Sequence, residues 1–516
     1  MNNINHNQRK RAIPFNNTYV RLPERFYQRI KPVPVKAPQL IRFNEALADA
    51  LHIASSIFTD EIGAEIFSGN YIPPDAEPIA LAYAGHQFGQ FVPQLGDGRA
   101  ILLGEVLDKS GVRRDIQLKG SGPTAFSRRG DGRAALGPVM REYIVSEAMH
   151  ALGVPTTRSL TFVTTGEPVY RETILPGAIL TRVAASHVRI GTFEYFAARH
   201  DHEALKVLAD YVIARHYPQL QHATNRYLAL LEAVCEAQAE LVARWLHIGF
   251  IHGVMNTDNM TISGETIDYG PCAFMDIYDP HTVFSSIDYY GRYAYSHQGK
   301  IAQWNLASLG QCLLPLIQAK TSQNNDKALA LVQEVINNFA QRFDGYWLQG
   351  MRHKLGLATA QQDDLLLVNN LLELMHKHQV DYTLGFRLLS TESAFTLNEQ
   401  PASRAAPATT APAIIKLFEH DPAFFKWHQT WLKRLQAEQQ PFQHAMACMQ
   451  RCNPAYIARN HRVEQAITAA IERQDFTVMD RLIAVLAKPY DEQSHNIEYM
   501  NPPTPEERVY QTFCGT

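Results

Sequence analysis

The chain has 516 residues, and its 48 Lys and Arg against 51 Asp and Glu leave a formal net charge of −3. This near-neutral balance argues against a nucleic-acid-binding protein, which would depend on excess positive charge, and a hydrophobic share of 46% excludes a disordered chain. Six scattered cysteines do not form a disulfide scaffold, and no apolar run reaches the roughly 18 residues that a membrane span needs.

The N-terminal segment MNNINHNQRKRAIPFNNTY is basic but contains no apolar stretch of the kind that a secretory signal requires. A small number of scattered cysteines is typical of a reducing compartment. We therefore expect a cytoplasmic protein if the source is bacterial, with neither a membrane nor a nucleic acid as its partner.

The first 190 residues predict an N-terminal arm followed by a sheet. Residues 1–75 are interpreted as an arm and helices, with FNEALADALHI (43–53) as the clearest helical stretch. Within residues 76–190 the pattern alternates as in a sheet, and residues 99–107 and 112–119 predict two strands around the turn DKSG. We interpret residues 76–190 as one lobe that carries a phosphate-binding loop.

A glycine-rich loop and a helix follow these two strands. The loop fills residues 120–137, and Pro138 suits the first position of a helix that ends before Gly153. Three more strand-like runs come next, SLTFVTTG, EPVYRE and AILTRVA. The order of strand, strand, helix and further strands predicts a small sheet with one helix packed on it.

The rest of the chain is mostly helical. Residues 191–400 predict a helical lobe, in which 226–247 is the longest helix. The segment HGVMNTDN then leads into a predicted compact hairpin at residues 260–270. The Pro- and Ala-rich run 401–412 predicts a linker or surface loop, and residues 413–516 predict a C-terminal helical module with a tail.

Two short motifs of the first lobe are able to contact phosphate. In GDGR (96–99) the glycines let backbone N–H groups come close to a phosphate, although an ordinary turn can have the same letters. Lys119 closes a strand and Glu142 lies in the helix that follows, and such a pair can hold a lysine toward phosphates, as in protein kinases. Two solvated surface charges are the alternative.

A third and more specific motif lies in HGVMNTDN and the DYG that follows it. Asp258 and Asn259 stand at the end of a loop before the predicted hairpin, and Asp268 ends that hairpin. An Asn and an Asp that converge from its two ends offer the oxygen ligands that Mg²⁺ prefers. The alternative is a polar loop and turn without a ligand.

These features follow the chain order of a kinase-like site: phosphate loop, Lys–Glu pair, catalytic loop and metal aspartate. One part of such a site is missing. Kinases place an aspartate directly after the HG or HR dipeptide of the catalytic loop, and Val254 occupies that position here. Because valine cannot accept a proton, the residues predict a kinase-like nucleotide site without the usual kinase base.

One further group of residues invites a metal interpretation. His444, Cys448 and Cys452 fall at helical spacing in HAMACMQRC and could offer zinc ligands on one helix face. No fourth ligand stands at a familiar spacing, so we interpret them as core or surface residues. His86 in AGHQFGQ is interpreted as structural.

The sequence resembles the selenoprotein O family of protein adenylyltransferases, which are pseudokinases by sequence. The resemblance extends over nearly the whole chain, and long matches such as LKGSGPT together with GDGRA are far more specific than a short motif. It is carried by AGHQFGQFVPQLGDGRA, QLKGSGPTAFSRRGDGRA, SEAMHALGVPTTRSL, RVAASHVRIGTFE, HGVMNTDNM, DYGPCAFMD, IAQWNLASL and NPAYIARNHRVEQAI.

The resemblance implies transfer of AMP from ATP, or in some members UMP from UTP, to hydroxyl groups of proteins. It also implies that the nucleotide is inverted relative to kinases, with the α-phosphate as the reactive centre. The residues that it places at the nucleotide are Gly96, Gly98, Arg99, Lys119, Asp131, Gly132, Arg182, Arg189 and Asp268. Guanidinium groups suit phosphate because they bind it through two hydrogen bonds, and surface salt bridges are the alternative role for such arginines.

The resemblance also implies catalytic roles. Asp258 is the expected proton acceptor, Asn259 and Asp268 are the expected ligands of Mg²⁺ or Mn²⁺, and Glu142 is expected to orient Lys119. The implied partners are the nucleotide and protein substrates with Ser, Thr or Tyr hydroxyl groups.

Two cysteines enter through the same resemblance. Many family members carry a selenocysteine or cysteine near the C-terminus, and Cys514 in CGT matches that place. In some members this residue is redox-linked to a cysteine after the DYG segment, where Cys272 lies here. The resemblance therefore implies a redox role for Cys514 and offers Cys272 as one candidate partner, while the identity of the partner stays open and a plain exposed thiol at Cys514 is the alternative.

We expect an α+β protein with a kinase-like fold of two lobes, an N-terminal arm and additional C-terminal helices. The predicted activity is nucleotidyl transfer to proteins. Two alternatives stay open: an atypical kinase that transfers the γ-phosphate with Asp258 as its base, and a nucleotide-binding scaffold without catalysis. The complete set of phosphate and metal residues argues against the scaffold, because a protein without catalysis has no need for it.

Overall fold

The computed structural model of the chain describes residues 13–54, 60–321, 324–395 and 412–513. The predicted linker lies outside the described residues except for Pro412, and Cys514 lies outside them as well. Helices and a sheet are both present, which confirms the predicted α+β class. The kinase-like arrangement of two lobes stays a prediction.

Most strands of the described residues belong to one eight-stranded sheet. In chain order the strands are β1 (Tyr27–Arg29), β2 (Gln39–Phe43), β3 (Ile79–Leu81), β4 (Gly85–Gln87), β5 (Gln90–Val92), β6 (Ala100–Leu107), β7 (Arg113–Lys119), β8 (Ala134–Ala135), β9 (Arg158–Tyr170), β10 (Ile174–Ala184), β11 (Phe250–Ile251) and β12 (Ala273–Phe274). The sheet has the order β1-β3-β6-β7-β10-β9-β2, with β8 paired to β10. Strands β4 and β5 pair separately, as do β11 and β12.

The two strands predicted at residues 99–107 and 112–119 are confirmed as β6 and β7. They pair antiparallel with Ala100 opposite Lys119, and β10 pairs on the other side of β7 with Leu180 opposite Lys119. Residues of β6 are buried on both faces of the sheet, up to its last position. This register places Lys119 beside the start of β6, where the GDGR loop ends.

The strand-like runs SLTFVTTG and EPVYRE form one strand, β9, so the prediction of two separate strands there was wrong. The pairing of β9 with β10 shifts register between Pro176 and Ala178, opposite Gly166. Gly166 has a φ of 68°, which a glycine adopts without strain. A bulge of this kind lets a strand continue through a residue that otherwise marks a turn.

The N-terminal segment contributes two strands that the sequence analysis missed. Strand β1 pairs with β3, and β2 forms the opposite edge of the sheet against β9. Their short lengths leave too little alternation to identify them from the sequence. The predicted helix at 43–53 is confirmed in its centre, where a helix begins after the N-cap residue Asn44, whose side chain accepts from Leu47 N.

Helices of the described residues cover both faces of the sheet. In chain order they are α1 (Glu45–Ala50), α2 (Asp60–Phe67), α3 (Leu136–Ala151), α4 (Ile190–Ala197), α5 (His202–His216), α6 (Arg226–His247), α7 (Gln298–Gln318), α8 (Asn325–Lys354), α9 (Asp364–Lys377), α10 (Tyr382–Leu389), α11 (Glu392–Phe395), α12 (Ala413–Leu417), α13 (Pro422–Gln436), α14 (Phe442–Cys452), α15 (Asn460–Arg473) and α16 (Thr477–Leu486). Helices α1 and α2 lie on one face of the sheet, and α3 lies on the other. The longest predicted helix is confirmed as α6. None of the helices that the structure describes combines the length and the apolar character that a bilayer span needs.

Helix α3 connects the sheet with the C-terminal helices. It begins two residues before the predicted Pro138, at Leu136, and ends at Ala151. One of its faces packs against β9 and β10, and another packs against α15 and α16. Its apolar residues belong to one continuous core with the sheet, α6 and the C-terminal helices, so Glu142 on this helix has a fixed position behind the sheet.

Residues 260–270 do not form the predicted hairpin. Thr261 pairs with Arg189, and Thr266 pairs with Thr156, so the backbone of each half bridges to another part of the chain, and the Thr261 side chain links the two halves by bonding to the backbone of Glu265. The prediction was wrong because an alternating pattern shows that a segment is extended but does not identify its partner. The consequence for the site is that Arg189 is held directly beside the loop that carries Asp258.

Candidate active site

A cavity of about 450 Å³ is lined by the sheet on one side and by the loop after α6 on the other. All of the residues predicted for nucleotide, metal and proton transfer border this cavity, and Val254 does so too. They are Gly96, Gly98, Arg99, Lys119, Asp131, Gly132, Arg182, Arg189, Asp258, Asn259 and Asp268. Glu142 does not border the cavity and lies behind Lys119.

Lys119 and Glu142 form an ion pair, with Lys119 Nζ 2.6 Å from Glu142 Oε2. Lys119 ends β7, and Glu142 is buried on α3 beneath the sheet. Burial raises the pKa of the Glu142 carboxyl, but Arg182 and Lys119 outweigh this effect and hold the pKa below its ordinary value. The glutamate is therefore ionised, and it fixes the direction of the lysine toward the cavity.

Arg182 on β10 connects the same glutamate to the DYG aspartate. Its Nε and Nη2 donate to Glu142 Oε1 at 2.9 and 2.6 Å, and Nη2 also donates to Asp268 Oδ1 at 2.6 Å. The residue is only 1% exposed. This burial excludes the alternative that Arg182 forms a surface salt bridge. The whole guanidinium group lies in the interior of the site.

Asp268 lies at the centre of a group of cations. Its Oδ1 accepts from Lys119 at 3.0 Å and from Arg182, and its Oδ2 accepts from Arg189 Nη1 at 2.7 Å. Burial raises the pKa of this carboxyl, but the three cations hold it well below its usual range. The lining of the whole cavity holds seven Lys and Arg side chains against four Asp side chains, so the cavity carries an excess positive charge that suits an anionic ligand.

The pKa of the Asp258 carboxyl is shifted in the opposite direction from that of Asp268. Burial raises the pKa of its carboxyl from 3.8 to about 6, although Arg189 acts in the other direction. Its Oδ2 accepts a long hydrogen bond of 3.4 Å from Gln87, and its Oδ1 has no hydrogen-bond partner among the described residues. A side chain at Gly85 would collide with this carboxylate, so glycine is required there. A buried carboxylate with an unpaired oxygen and a pKa near neutrality is suited to accept a proton.

Arg189 joins the two aspartates. Its Nη1 donates to the backbone oxygen of Asp258 at 2.6 Å as well as to Asp268. Its guanidinium group lies over the ring of Tyr83, 4.6 Å from the centroid, which adds a cation–π contact. The residue directly precedes α4 and is 3% exposed. Its position therefore depends on the sheet, on α4 and on the loop after α6 at once.

The loop that carries Asp258 is held by a group of residues whose function the sequence analysis did not identify. Thr257 Oγ1 donates to Glu194 Oε2 at 2.6 Å and accepts from the backbone N–H of His86 at 2.7 Å. The His86 ring closes the group, with Nδ1 2.7 Å from Glu194 Oε1. This geometry agrees with the structural role expected for His86, whereas Glu194 on α4 gave no signal in the sequence.

A second anchor of the same loop is Asn256. Its Oδ1 accepts from the hydroxyl group of Tyr293 at 2.6 Å and from the backbone N–H of Phe88 at 3.0 Å. Tyr293 stands in the segment before α7, and Phe88 lies between β4 and β5. Both partners are distant in sequence, so no local motif could have identified them.

The GDGR loop is fixed by its aspartate. Asp97 Oδ2 accepts from the backbone N–H of Leu81 and from Gln117 Nε2, both at 3.1 Å, and its backbone oxygen accepts from Thr124 Oγ1 at 2.7 Å. Gly96 has a φ of 72° and packs against the ring of Phe126, where a side chain would collide. Asp97 is thus a structural residue of the GDGR loop, and Gly96 is required by both its conformation and its contact with Phe126.

Asp131 and Gly132 lie at the rim of the cavity. The Asp131 carboxylate binds Arg171 at 2.8 Å and accepts from the backbone N–H of Arg133 at 2.9 Å. Its hydrogen bonds with Arg171 lower the pKa of this carboxyl. Gly132 has a φ of 65° and lies against the backbone of Gly122. Arg171, in the turn between β9 and β10, borders the cavity and is a candidate that the sequence analysis missed.

The donor set of the cavity fits a divalent cation with few protein ligands. Asn259 Nδ2 donates to Val254 O at 2.9 Å, which directs its Oδ1 away from that carbonyl group. Both oxygens of Asp268 accept from cations, so metal binding there requires a cationic partner to move. Within the described ranges no three His, Cys, Asp or Glu side chains form a group that could hold a metal. One amide and one carboxylate oxygen nevertheless fit Mg²⁺ or Mn²⁺, because such ions take their remaining ligands from water and substrate phosphates.

Those cysteines of the predicted sites that the structure describes do not border the cavity. His444, Cys448 and Cys452 share α14, and they form no metal-holding group in the part of the chain that the structure describes. Cys272 is fully buried next to Pro271. Thr512 Oγ1 donates to Pro271 O at 2.5 Å, so the described end of the C-terminal tail reaches the neighbour of Cys272. The predicted pairing with Cys514 stays a prediction.

The chain was compared with known proteins. A family described as protein adenylyltransferase SelO matches residues 10–487. A protein nucleotidyltransferase YdiU from Rhizobium rhizogenes is 58% identical over 506 residues, which cover 98% of this chain and 97% of the relative. Proteins of the same name from Rhizobium meliloti and a Bradyrhizobium species are 57% and 56% identical over 505 and 503 residues, with 98% of this chain and 100% and 99% of the relatives covered.

Proposed function

The chain belongs to the family of protein adenylyltransferase SelO, and we propose that it transfers AMP from ATP to Ser, Thr or Tyr hydroxyl groups of proteins, with UMP transfer from UTP as a second activity. The family and the relatives support an enzyme that transfers a nucleotide to proteins. The finer assignment of the transferred group, the donor and the acceptor rests on the cavity.

The observation that carries the proposal is the state of Asp258. It borders the cavity and has an oxygen without a hydrogen-bond partner among the described residues. The other cavity carboxylates of the described chain are engaged: Asp97 by the phosphate loop, Asp131 by Arg171, and Asp268 by its cations. Asp258 is therefore the group that can accept the proton of an attacking hydroxyl group.

The cations of the site supply the binding of the triphosphate. Lys119, Arg182 and Arg189 surround Asp268, and over the whole lining seven Lys and Arg side chains outnumber four Asp side chains. They stabilise the negative charge that develops when the acceptor oxygen attacks the α-phosphorus and pyrophosphate leaves. Their fixed positions in the sheet mean that little reorganisation is needed at that moment.

Asn259 and Asp268 would hold Mg²⁺ or Mn²⁺, which when bound neutralises negative charge on the triphosphate. Side chains of the protein position the other groups of the site. Asn259 presents its oxygen because its Nδ2 is bound to Val254 O. Glu142 keeps Lys119 and Arg182 in place when either one releases Asp268.

Val254 supports transfer of the α-phosphate over transfer of the γ-phosphate. It borders the cavity, it occupies the sequence position at which kinases have their base, and it has no group that can accept a proton. Asp258 is further along the same loop and next to Asn259. A base at this place serves a hydroxyl group that attacks a different phosphorus, which an inverted nucleotide would present.

The test of this proposal uses ATP that is labelled at either the α- or the γ-phosphate, with a mixture of acceptor proteins. We expect label from the α position to enter protein and label from the γ position to stay out. Asp258→Asn should suppress incorporation, and Val254→Asp should not create γ-transfer, because the arginines and the glycine loop set the orientation of the nucleotide.

A matched control is Glu265→Gln. Glu265 is also a buried carboxyl whose pKa burial raises, to about 7, but it does not border the cavity. We expect this variant to keep its activity. Incorporation of γ-label by the unaltered chain would instead assign it as a kinase, and equal losses in both variants would remove the assigned role of Asp258.

A further inference from the structure

Exposed apolar side chains occur on two segments of the chain that are hydrogen-bonded to each other, and one of these side chains, Ile287, borders the cavity. The fractions of their surface that are exposed are 49% for Ile287, 83% for Tyr289, 97% for Tyr290, 66% for Tyr510 and 69% for Phe513. We call these five residues the aromatic rim. Contiguous exposed apolar groups on a folded protein mark interaction sites.

The two segments of the aromatic rim are joined by backbone hydrogen bonds. The backbone N–H of Thr512 donates to Phe284 O at 2.8 Å, and that of Ser286 donates to Thr512 O at 3.1 Å. These bonds hold the C-terminal residues of the rim against the segment before α7. The five residues therefore lie on two segments that are held together and not on two independent loops.

The segment before α7 is fixed, so the exposure of its side chains does not come from a loose loop. Asp288 is buried and accepts from the backbone N–H groups of Arg292 and Tyr293 at 2.9 and 2.8 Å. Tyr293 in turn binds Asn256 of the loop that carries Asp258. A fixed turn that presents Ile287, Tyr289 and Tyr290 to water loses the stabilisation that burial of such groups gives, and a bound partner would restore it.

The aromatic rim adjoins the cavity through Ile287. Ile287 borders the same cavity as Asp258 and Asn256. An acceptor hydroxyl group that reaches Asp258 brings its own backbone to the mouth of the cavity. Because an extended chain advances about 3.4 Å per residue, the residues within about three positions of the acceptor then lie over the rim.

We infer that the aromatic rim binds the acceptor protein and selects segments that carry an aliphatic or aromatic side chain within about three positions of the acceptor hydroxyl group. This inference rests on the proposed function, and it assigns the residues that recognise the acceptor. Tyrosines are enriched among the residues that dominate protein–protein binding, because a large ring is buried at a small cost in conformational entropy.

The test compares the unaltered full-length chain with the double variant Tyr289→Ser/Tyr290→Ser. Two acceptor peptides contain one Thr each, flanked either by Leu or by Gly at the neighbouring positions, and incorporation of label from α-labelled ATP gives KM and kcat. We expect the unaltered chain to prefer the Leu-flanked peptide. In the double variant its KM should rise about tenfold, as for residues that dominate an interface, and the preference should disappear.

The matched control is Leu366→Ser on α9. Leu366 is an apolar residue with 61% of its surface exposed, and it does not border the cavity. Its replacement should change neither KM nor the peptide preference. Both variants alter exposed side chains, and equal thermal unfolding temperatures would show that the fold is intact.

The outcomes separate this inference from the proposed function. Absence of α-label in either peptide and in acceptor proteins with the unaltered chain would reject the proposed function. Transfer with the same KM values in the unaltered chain and the double variant would reject the inference only. A shift from dimer to monomer in the double variant, with unchanged KM, would show that a second copy of the chain covers the rim, and this also overturns the inference.

Discussion

Asp258 and Asp268 border one cavity but their carboxyl groups have opposite pKa shifts. Burial raises the pKa of Asp258 to about 6, whereas Arg182, Lys119 and Arg189 outweigh burial at Asp268 and hold its pKa well below the usual range. Pairs of titratable groups whose environments separate their pKa values are typical of acid–base sites. At the scale of single residues, one aspartate can thus exchange a proton while the other stays ionised.

The first prediction concerns the pH dependence that Asp258 produces. Since its pKa is about 6 in the folded chain, kcat/KM for nucleotide transfer should fall as the pH drops through 6, with the slope of one proton. In the unfolded chain the same carboxyl has its ordinary pKa. Its ionisation therefore lowers the free energy of unfolding above pH 6 and has no effect below pH 4. Asp258→Asn should therefore remove activity and raise the free energy of unfolding by about 2–3 kcal/mol at pH 7.5.

Chemical denaturation of both proteins at pH 7.5 and at pH 4 checks this prediction. The stability gain of Asp258→Asn should be present at the higher pH and absent at the lower pH. Asp131→Asn is the comparison, because Arg171 lowers the pKa of that carboxyl and its replacement should give no gain. Equal gains of Asp258→Asn at both pH values would show that the carboxyl of Asp258 is not destabilised by burial.

The second prediction concerns Lys354, a buried cation outside the cavity. It is 2% exposed at the end of α8, forms no salt bridge among the described residues, and lies over the rings of Phe386 and Tyr382 at 4.1 and 5.2 Å. Burial lowers the pKa of its ammonium group from 10.5 to about 7. A lowered pKa of a base means that the unfolded chain binds more protons, so stability should rise with pH between 7 and 10.5.

Lys354→Met keeps the volume of the side chain and removes the charge. We expect it to raise the free energy of unfolding by about 2–4 kcal/mol at pH 7, since each unit of pKa corresponds to about 1.4 kcal/mol. The gain should shrink as the pH approaches 10. Denaturation curves at pH 7 and pH 10 measure it, and a loss of stability at pH 7 would show that the contacts with the two rings outweigh the burial.

At the scale of elements, the glycine loop depends on close backbone contacts. Gly132 has a φ of 65°, and a side chain there would collide with the backbone of Gly122. Gly111 has a similar φ of 78° but open space around it. A comparison of alanine substitutions at Gly132 and Gly111 therefore separates two contributions to the loss of stability. One is the cost of the left-handed conformation, and the other is the cost of the contact with Gly122.

We expect Gly111→Ala to lower the free energy of unfolding by about 1 kcal/mol, the cost of the left-handed conformation, with no change in ATP binding. Gly132→Ala should cost at least about twice as much and weaken ATP binding about tenfold, because the loop must shift at the rim of the cavity. Urea denaturation and ATP titration measure both effects. Equal effects of the two substitutions would show that the contact with Gly122 is not needed.

Elements with a strong local pattern could be predicted from the sequence, and elements defined by distant partners could not. Strands β6 and β7 and helix α6 have long periodic patterns, and the structure confirms them. Strands β1 and β2 are short, and their pairing with β3 and β9 joins distant parts of the chain. The hairpin at 260–270 was predicted because alternation indicates an extended segment, whereas the partners of that segment are Arg189 and Thr156.

The residues of the site divide in the same way, into those that a local motif predicts and those that distant contacts define. Lys119, Asp258 and Asp268 stand in motifs whose spacing could be recognised, and the structure brings them to one cavity. Glu194 and Tyr293 hold the loop of Asp258 through contacts across more than thirty positions, as their hydrogen bonds show. No pattern in a single sequence reveals such contacts, so their function became apparent only from the structure.

At the scale of the whole molecule, the C-terminal helices are tied to the segment after DYG. Arg459, directly before α15, is 1% exposed and binds Asp381 at 2.8 Å and Asp276 at 2.5 Å. It also donates to the backbone oxygen of Met500 at 2.8 Å. Buried ion pairs of this kind are costly to break, so the C-terminal helices and the site form one unit.

The fourth prediction concerns the tail that follows these helices. Thr512 binds Pro271 O next to Cys272, but neither it nor Cys272 borders the cavity. We expect Cys514→Ser to retain nucleotide transfer under reducing conditions, because the proposed mechanism assigns proton transfer to Asp258 and phosphate binding to the cations of the cavity. Label incorporation from α-labelled ATP measures this, and loss of activity in the presence of reductant would make Cys514 a catalytic residue.

The central claim is that an acceptor hydroxyl group attacks the α-phosphorus and that pyrophosphate leaves. Phosphorus nuclear magnetic resonance of the reaction mixture tests it most directly, because it identifies the second product without any label on the protein. We predict that pyrophosphate accumulates in proportion to modified acceptor and that Asp258→Asn abolishes it. Accumulation of ADP in proportion to modified acceptor would contradict the account and assign the chain as a kinase.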